Sequence, residues 1–416
     1  TWVSTSYFLA IAIVQVPFGR LSDIFGRRRL FILGLMVATA GSLLGGFATS
    51  VPVLLVSRVL QGLGSGMTFN NSVAILSSVF PGKDRARALG ISQSGTYMGL
   101  SLGPLFGGFL TEHLGWQSIF LISGGLGALL VILVFTGIRS EWREARGEKF
   151  DVSGSLVYIV AIASFMYGFS NLPSVTGIIL FVIGAAGLAL FVWLESRASS
   201  PIFNINLFRN NRVFIFSNIA VLITYISTFA VNFLLSLYLQ YIKGVRPDRA
   251  GLELIWASVP MTLFTVVSGI MAQKMDSRKV ATIGMAVNCA ALVLIIFVNE
   301  TTSIWYIRAA LVLYGTGIGM FVSPNTNIVM GSVDKKVLGV ASGTIGTMRT
   351  AGMMLSMGIT MILFTVFIGQ AEIIPAFYPQ FLDSVQVGFI IFSVIGFGGV
   401  IAQMAARNHI TQRKDG

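Results

Sequence analysis

The sequence predicts an all-α polytopic membrane protein, and three observations predict it. Apolar residues make up 55% of the chain and charged residues only 11%, where soluble domains carry about 25% charged. The apolar residues gather in runs of about 20, the length that crosses a hydrocarbon core as a helix. Lys and Arg then collect on one side of those runs. Of the 28, 22 lie in alternate loops or the tail, at positions 20, 27–29, 83–87, 139–149, 197–212, 274–279, 335–336 and 407–414. Lys243, Arg246 and Arg249 fall on the other side, and Arg58, Arg308 and Arg349 lie inside apolar runs. Such asymmetry marks cytoplasmic loops. The net charge of +12 therefore sets topology, and no nucleic-acid partner is expected.

Spans are expected near 2–18, 30–48, 51–77, 87–111, 116–137, 153–170, 174–193, 210–241, 249–272, 278–298, 303–330, 337–367 and 384–405, thirteen in all. With residues 406–416 as a cytoplasmic tail, the odd count puts Thr1 outside the cell. The first connection is Gly19-Arg20-Leu21-Ser22-Asp23-Ile24-Phe25-Gly26-Arg27-Arg28-Arg29. A turn joining two spanning helices needs small residues for close approach, because lipid cannot satisfy loose backbone groups. Its arginines put it on the cytoplasmic face.

The third run carries Ser57-Arg58-Val59-Leu60-Gln61-Gly62-Leu63-Gly64. Arg58 lies roughly 10 Å along a helix that enters from outside. A guanidinium there is costly unless it is paired or faces water. The fourth run carries Gly99-Leu100-Ser101-Leu102-Gly103-Pro104-Leu105-Phe106-Gly107-Gly108. Glycine at every fourth position flattens one helix face for a neighbour, and Pro104 removes a donor and bends the helix.

Residues 138–152 alternate Arg, Glu and Lys and read as a short solvated loop between residues 1–137 and a pair of further spans at 153–193. Residues 194–209, with Pro201 and several polar residues, read as the linker into 210–405. The chain also repeats itself. Arg87-Ala88-Leu89-Gly90-Ile91 aligns with Lys336-Val337-Leu338-Gly339-Val340 at an offset of 249, which also carries Gly103 onto Gly352. Gly62 to Met67 aligns with Gly315 to Met320 at 253, and Gly19 and Arg28 with Gly269 and Arg278 at 250. Six helices of about 30 residues would need an offset near 200, and the surplus fits two inserted spans.

These three motifs and the repeat resemble the major facilitator superfamily of secondary transporters, and the whole chain resembles its fourteen-helix drug:proton antiporters. The resemblance implies two pseudo-symmetric six-helix halves separated by two extra helices. Members of that superfamily begin in the cytoplasm, so one helix is expected before Thr1. It implies further that Gly19, Asp23, Gly26, Arg27 and Arg28 form a cytoplasmic gate. Arg58, Gln61 and Gly62 would take part in proton coupling, with the acidic partner on that earlier helix; a purely structural arginine is the other reading. Gly99, Gly103, Pro104, Gly107 and Gly108 would mark an exporter, or else a small-residue packing face. At the matching site of the second half Met353 replaces the proline.

Arg349 is expected roughly 18 Å into its span, and structural pairing and a cavity role both remain open for it. Gln93, Tyr97 and Asn325 are cavity candidates among the polar groups in apolar runs. Glu253 is a further candidate, with a solvated mouth as the simpler reading. With two His, one Cys and no Walker A sequence, no enzyme, cofactor, metal or ATP site is expected. Protons and a small molecule are the expected partners in a multi-pass cell-membrane protein, with no obligate protein partner. The expectation is export of amphipathic drugs; export of a single metabolite, or a non-transporting sensor on the same fold, are the alternatives.

Overall fold

A computed structural model describes residues 2–172, 174–198, 201–203, 211–369 and 374–406. Among them every regular element is helical. The α-helices are α1 (Trp2–Phe25), α2 (Arg27–Gly46), α3 (Val51–Val79), α4 (Lys83–Leu114), α5 (Gln117–Gly137), α6 (Val152–Ser170) and α7 (Val175–Glu195). They continue with α8 (Arg212–Thr228), α9 (Val231–Tyr241), α10 (Pro247–Glu253), α11 (Ile255–Lys274), α12 (Ser277–Ile296), α13 (Ile304–Gly331), α14 (Leu338–Phe367) and α15 (Tyr378–Ala405). Eleven helical stretches are long and apolar enough to cross a membrane. α3 and α4, 29 and 32 residues long, fall outside that set and carry the Arg58 and Gly99–Gly108 motifs. Together these occupy the thirteen apolar runs.

Several boundaries differ from the sequence reading. α1 continues two turns past Phe18, so Gly19 and Asp23 are helical and the turn shrinks to Gly26, at φ 119°. Only glycine holds that angle without strain. The run 210–241 is two helices, broken at Phe229–Ala230, where the Ala230 N–H donates to Ser356 Oγ at 3.0 Å. The run 249–272 likewise begins as short α10 and resumes as α11. α4 and α15 start four and six residues earlier than their apolar runs, because the first turn of a spanning helix sits among polar groups. Residues 199–200 and 204–210 of the linker, and 407–416 of the tail, lie outside the described residues.

The chain divides into two compact units: Thr1–Pro81, Phe106–Leu207 and Val333–Thr350 in the first, and Gly82–Leu105, Phe208–Ser332 and Ala351–Gly416 in the second. In the first unit α3 packs on α1 and α2, α5 on α2, and α6 on α7 and α1. In the second, α13 packs on α11 and α12, while α15 packs on α12 and α8. The second unit's core gathers Leu235, Tyr238, Leu311, Phe381, Phe389 and Phe392.

The repeat is visible inside each unit as one glycine register. A Cβ on Gly62 would strike the Tyr7 carbonyl of α1, and one on Gly64 would strike Ala38 of α2. Their counterparts Gly315 and Gly317 would strike the Ala257 carbonyl of α11 and Asn288 of α12. Small residues let helix backbones approach closely, which in lipid supplies packing that hydrophobicity cannot. The starts of α4 and α14 follow the same scheme. Gly339 lies against the Gly19 backbone in the first unit, and Gly90 against the Gly269 backbone in the second.

Candidate functional site

The densest buried charge in the described chain is at the end of α1. Asp23 Oδ1 accepts the Gly339 N–H at 2.9 Å, and Oδ2 accepts the Val340 N–H at 3.2 Å. These are among the first amides of α14, which have no partner inside their own helix. A carboxylate is favoured there by both the free donors and the positive end of the helix dipole. Arg27 completes the site: its Nε and Nη2 donate to Asp23 Oδ1 at 3.0 and 2.6 Å. Nη2 also reaches the Lys335 carbonyl at 2.6 Å, and Nη1 reaches Ser78 Oγ. Both side chains are 0% exposed. A buried pair is tolerable only when its remaining lone pairs and N–H groups are also satisfied, and here four further bonds meet that need.

The loop after α5 is laid onto this turn. Ala145 N donates to the Asp23 carbonyl and Arg27 N to the Trp142 carbonyl, both at 3.1 Å. Arg28 N donates to Glu141 Oε1 at 2.9 Å, and its guanidinium donates to the carbonyls of Ile138 and Phe135. Arg20 pairs with Glu148. Sequence reasoning treated 138–152 as solvated and missed these contacts. The alternation of Arg, Glu and Lys gives no period that could separate a docked loop from a free one.

Arg58, on α3, is held by neutral groups. Nε donates to the Val3 carbonyl at 3.0 Å, Nη1 to Gln61 Oε1 at 2.8 Å, and Gln61 Nε2 passes on to Ser42 Oγ at 2.8 Å. Its guanidinium lies 4.4 Å from the Tyr7 ring centroid and 6.0 Å from that of Phe120. No carboxylate pairs with it among the described residues. Gly62 matters because a side chain there would displace α1 from this contact.

Farther along the first unit, neutral amides cluster between α1, α3 and the start of α14. Gln15 Nε2 approaches Thr350 Oγ1 at 3.4 Å, Asn70 Nδ2 donates to the Gln15 carbonyl at 2.7 Å, and Ser342 Oγ donates to the Asn70 carbonyl at 2.8 Å. Tyr158 of α6 shares a hydrogen bond of 3.0 Å with Thr347. Gln15 Oε1 and Asn70 Oδ1 are buried acceptors without a donor among the described residues. Arg349 stands over the Phe69 ring, 3.6 Å from its centroid.

In the second unit Gln93 Nε2 donates to Thr326 Oγ1 at 3.1 Å, and the Tyr97 and Tyr225 hydroxyls are 3.3 Å apart. Asn325 Nδ2 donates to the Ser217 carbonyl at 3.3 Å. Gln93, Tyr97 and Asn325 thus share one unit. Glu253 belongs to the same unit. It is engaged in a two-pronged ion pair with Arg308, both contacts 2.7 Å long, a partner that the sequence reading did not give it. A helical offset could not reveal this pairing, since the two residues lie on different helices.

Among the described residues, nothing lies within 4 Å of where a Cβ on Gly99, Gly103 or Gly108 would sit, and Gly107 meets only Ile119 Cδ1 at 3.8 Å. The side chain of Pro104 lies outside the described residues. Gly352, the repeat counterpart of Gly103, is by contrast packed against Leu222 and Tyr225 of α8.

An all-helical chain with repeated glycine crossings and a buried charge lock at a helix start defines a polytopic membrane protein of transporter architecture. The profile of the Major Facilitator Superfamily matches residues 1–357, and the chain belongs to that family. It is 31% identical over 357 residues to the multidrug resistance protein Stp of Mycobacterium tuberculosis, covering 84% of this chain and 66% of that protein. It is 27% identical over 373 residues to the riboflavin transporter RibZ of Clostridioides difficile, covering 89% and 80% respectively. The chain therefore spans about two thirds of the first of these relatives. The solved structure of the human organic anion transporter MFSD10 has the same fold, with a TM-score of 0.72 at 14% identity over 97% of this chain and 83% of that one.

Proposed function

We propose that this protein is a proton-coupled exporter of amphipathic drugs or other small toxic compounds across the cell membrane, with its C-terminus in the cytoplasm. The observation that carries the reading is the Asp23–Arg27 lock on the first amides of α14. Such a lock holds a conformation by charge and can be released as a unit, which is what a moving gate requires. Relatives named for multidrug resistance in Mycobacterium tuberculosis and Bacillus subtilis support the substrate class. In this reading residues 1–137 and 210–405 act as the two moving halves, with 153–193 as an inserted pair. Arg58, Gln61 and Gly62 serve proton coupling, while Gln93, Tyr97, Asn325 and Arg349 are candidate substrate contacts. Glu253, held by Arg308, acts at the rim. The test is uptake of a fluorescent cationic dye into inverted vesicles under an imposed proton gradient. Proton-driven accumulation is expected; accumulation unaffected by collapsing the gradient would refute coupling.

A second reading, export of one metabolite, is favoured by the relative named as a riboflavin transporter. Competition by a panel of unrelated drugs distinguishes the two, since a single-substrate carrier would ignore most of the panel.

A further inference from the structure

The gate just described leaves one buried carboxylate unused. Glu195 is the last residue of α7 and is 3% exposed. Its Oε2 accepts the Phe203 N–H at 2.8 Å, while its Oε1 has no hydrogen-bond partner among the described residues. That orphan oxygen faces a second acid. Asp151 caps the start of α6, its Oδ1 accepting from Gly154 N at 2.9 Å and from Ser153 Oγ at 2.6 Å. A Cβ on Gly154 would strike both Glu195 Oε1 and Asp151 Oδ2. The glycine thus leaves two carboxyl oxygens side by side over a bare backbone. The remaining charged group acting on Glu195 is Arg20 of α1, which is 6% exposed. Arg20 is held by Glu148 through Nη2, and its Nε is buried without an acceptor among the described residues. Segment 201–203 offers Glu195 only backbone N–H groups.

We propose that Glu195 and Asp151 form a proton-binding site that links the α6–α7 pair to the cytoplasmic end of α1. A buried carboxylate beside a second, half-exposed one resists ionising together with it, and one shared proton resolves both faults in the site. Glu195 Oε1–H then donates to Asp151 Oδ2, and the orphan oxygen gains its partner. When the proton leaves to water, the Glu195 carboxylate becomes an acceptor for the idle Nε–H of Arg20, in competition with Glu148. Arg20 lies one helical turn before Asp23, so the proton's presence bears on the segment that carries the gate lock. The inserted pair would then be a sensor of cytoplasmic pH. This role stands apart from proton-driven export, because it needs neither substrate nor turnover.

The test is the melting temperature of the full chain in nanodiscs against pH, with the infrared spectrum of protonated carboxyls as a second readout. A group that binds its proton more tightly folded than unfolded stabilises the acid side, and that stability is lost as pH rises toward its folded value. Wild-type protein should therefore lose stability as pH climbs above the ordinary carboxylate range, and Glu195→Gln should be flat there. Asp151→Asn removes the neighbouring charge and should move the step toward acid by about one pH unit, a tenfold weaker hold on the proton. The infrared band of a protonated carboxyl, recorded where ordinary carboxyls are ionised, should vanish in Glu195→Gln. A wild-type profile retained by Glu195→Gln, or a band that survives it, would overturn the proposal. Were Glu195→Gln to misfold, Asp151→Asn alone decides: an unmoved step also overturns it.

Discussion

Gly339 gives Asp23 its amide at 2.9 Å and has no side chain, because one would press into that same carboxylate and into the Gly19 backbone. The lock thus depends on an absence on one helix as much as on a charge on the other. Two substitutions follow that should share a phenotype. Asp23→Asn removes the charge and leaves Arg27 buried without its counter-ion, a loss worth roughly 3–5 kcal/mol when one partner of a buried pair is removed. Gly339→Ala keeps every charge and forces the helices apart. Both should insert in the membrane and slow efflux at least about tenfold, read as dye loss per unit of surface protein. Normal turnover in either would leave the cluster with a topological role only.

Gly103 and Gly352 occupy matching places in the repeat and have opposite surroundings. Gly352→Leu should destabilise by about 1–3 kcal/mol through overpacking, seen as a lower melting temperature. Gly103→Leu should change stability by no more than about 0.5 kcal/mol. If Gly103→Leu nonetheless abolishes efflux, its face meets a partner during the transport cycle. Equal destabilisation of the two variants would contradict the difference in packing.

Arg58 uses its planar fork: one edge bonds the Val3 carbonyl and Gln61, and the flat face covers Tyr7. Lysine keeps the charge and loses this geometry. In Arg58→Lys, proton-driven exchange should fall while equilibrium binding of the exported compound survives. The pH dependence of exchange should also be displaced. An unchanged pH profile in inverted vesicles would reduce Arg58 to a structural role.

The Glu253–Arg308 pair has good two-pronged geometry, but its side chains are 18% and 23% exposed. Solvent screening limits such pairs, so a double-mutant cycle on thermal stability should give a coupling of about 1 kcal/mol or less. Coupling several times larger would mean that the pair is shielded from water in the membrane.

The spans were legible because apolar run length and basic-loop asymmetry are one-dimensional signals. The repeat was legible for a related reason: glycines at 62, 64 and 66 and at 315, 317 and 319 mark the same helix crossings. What escaped were the pairings. Nothing in the spacing joins Asp23 to an amide 316 residues away, or sets Glu195 beside Asp151 over Gly154. Likewise, Gly26 marked a turn, but only the Asp23–Arg27 bond, one helical turn apart, explains why α1 runs on to Phe25.

The way α4 and α14 each divide between the two units governs the order in which the protein can be made. At a synthesis rate of about 5–20 residues per second, the partner amide of Asp23, 316 residues downstream, follows it by roughly 15–60 s. Through that interval the first unit stands in the membrane without its last segment, and Arg27 alone answers the charge of Asp23. The second unit waits too: Gln93 precedes its partner Thr326 by 233 residues, and its own last segment, 351–416, is made after that of the first unit. Ribosome pausing just before residue 333 should therefore prolong exposure of both units to quality control, the first lacking 333–350 and the second 351–416.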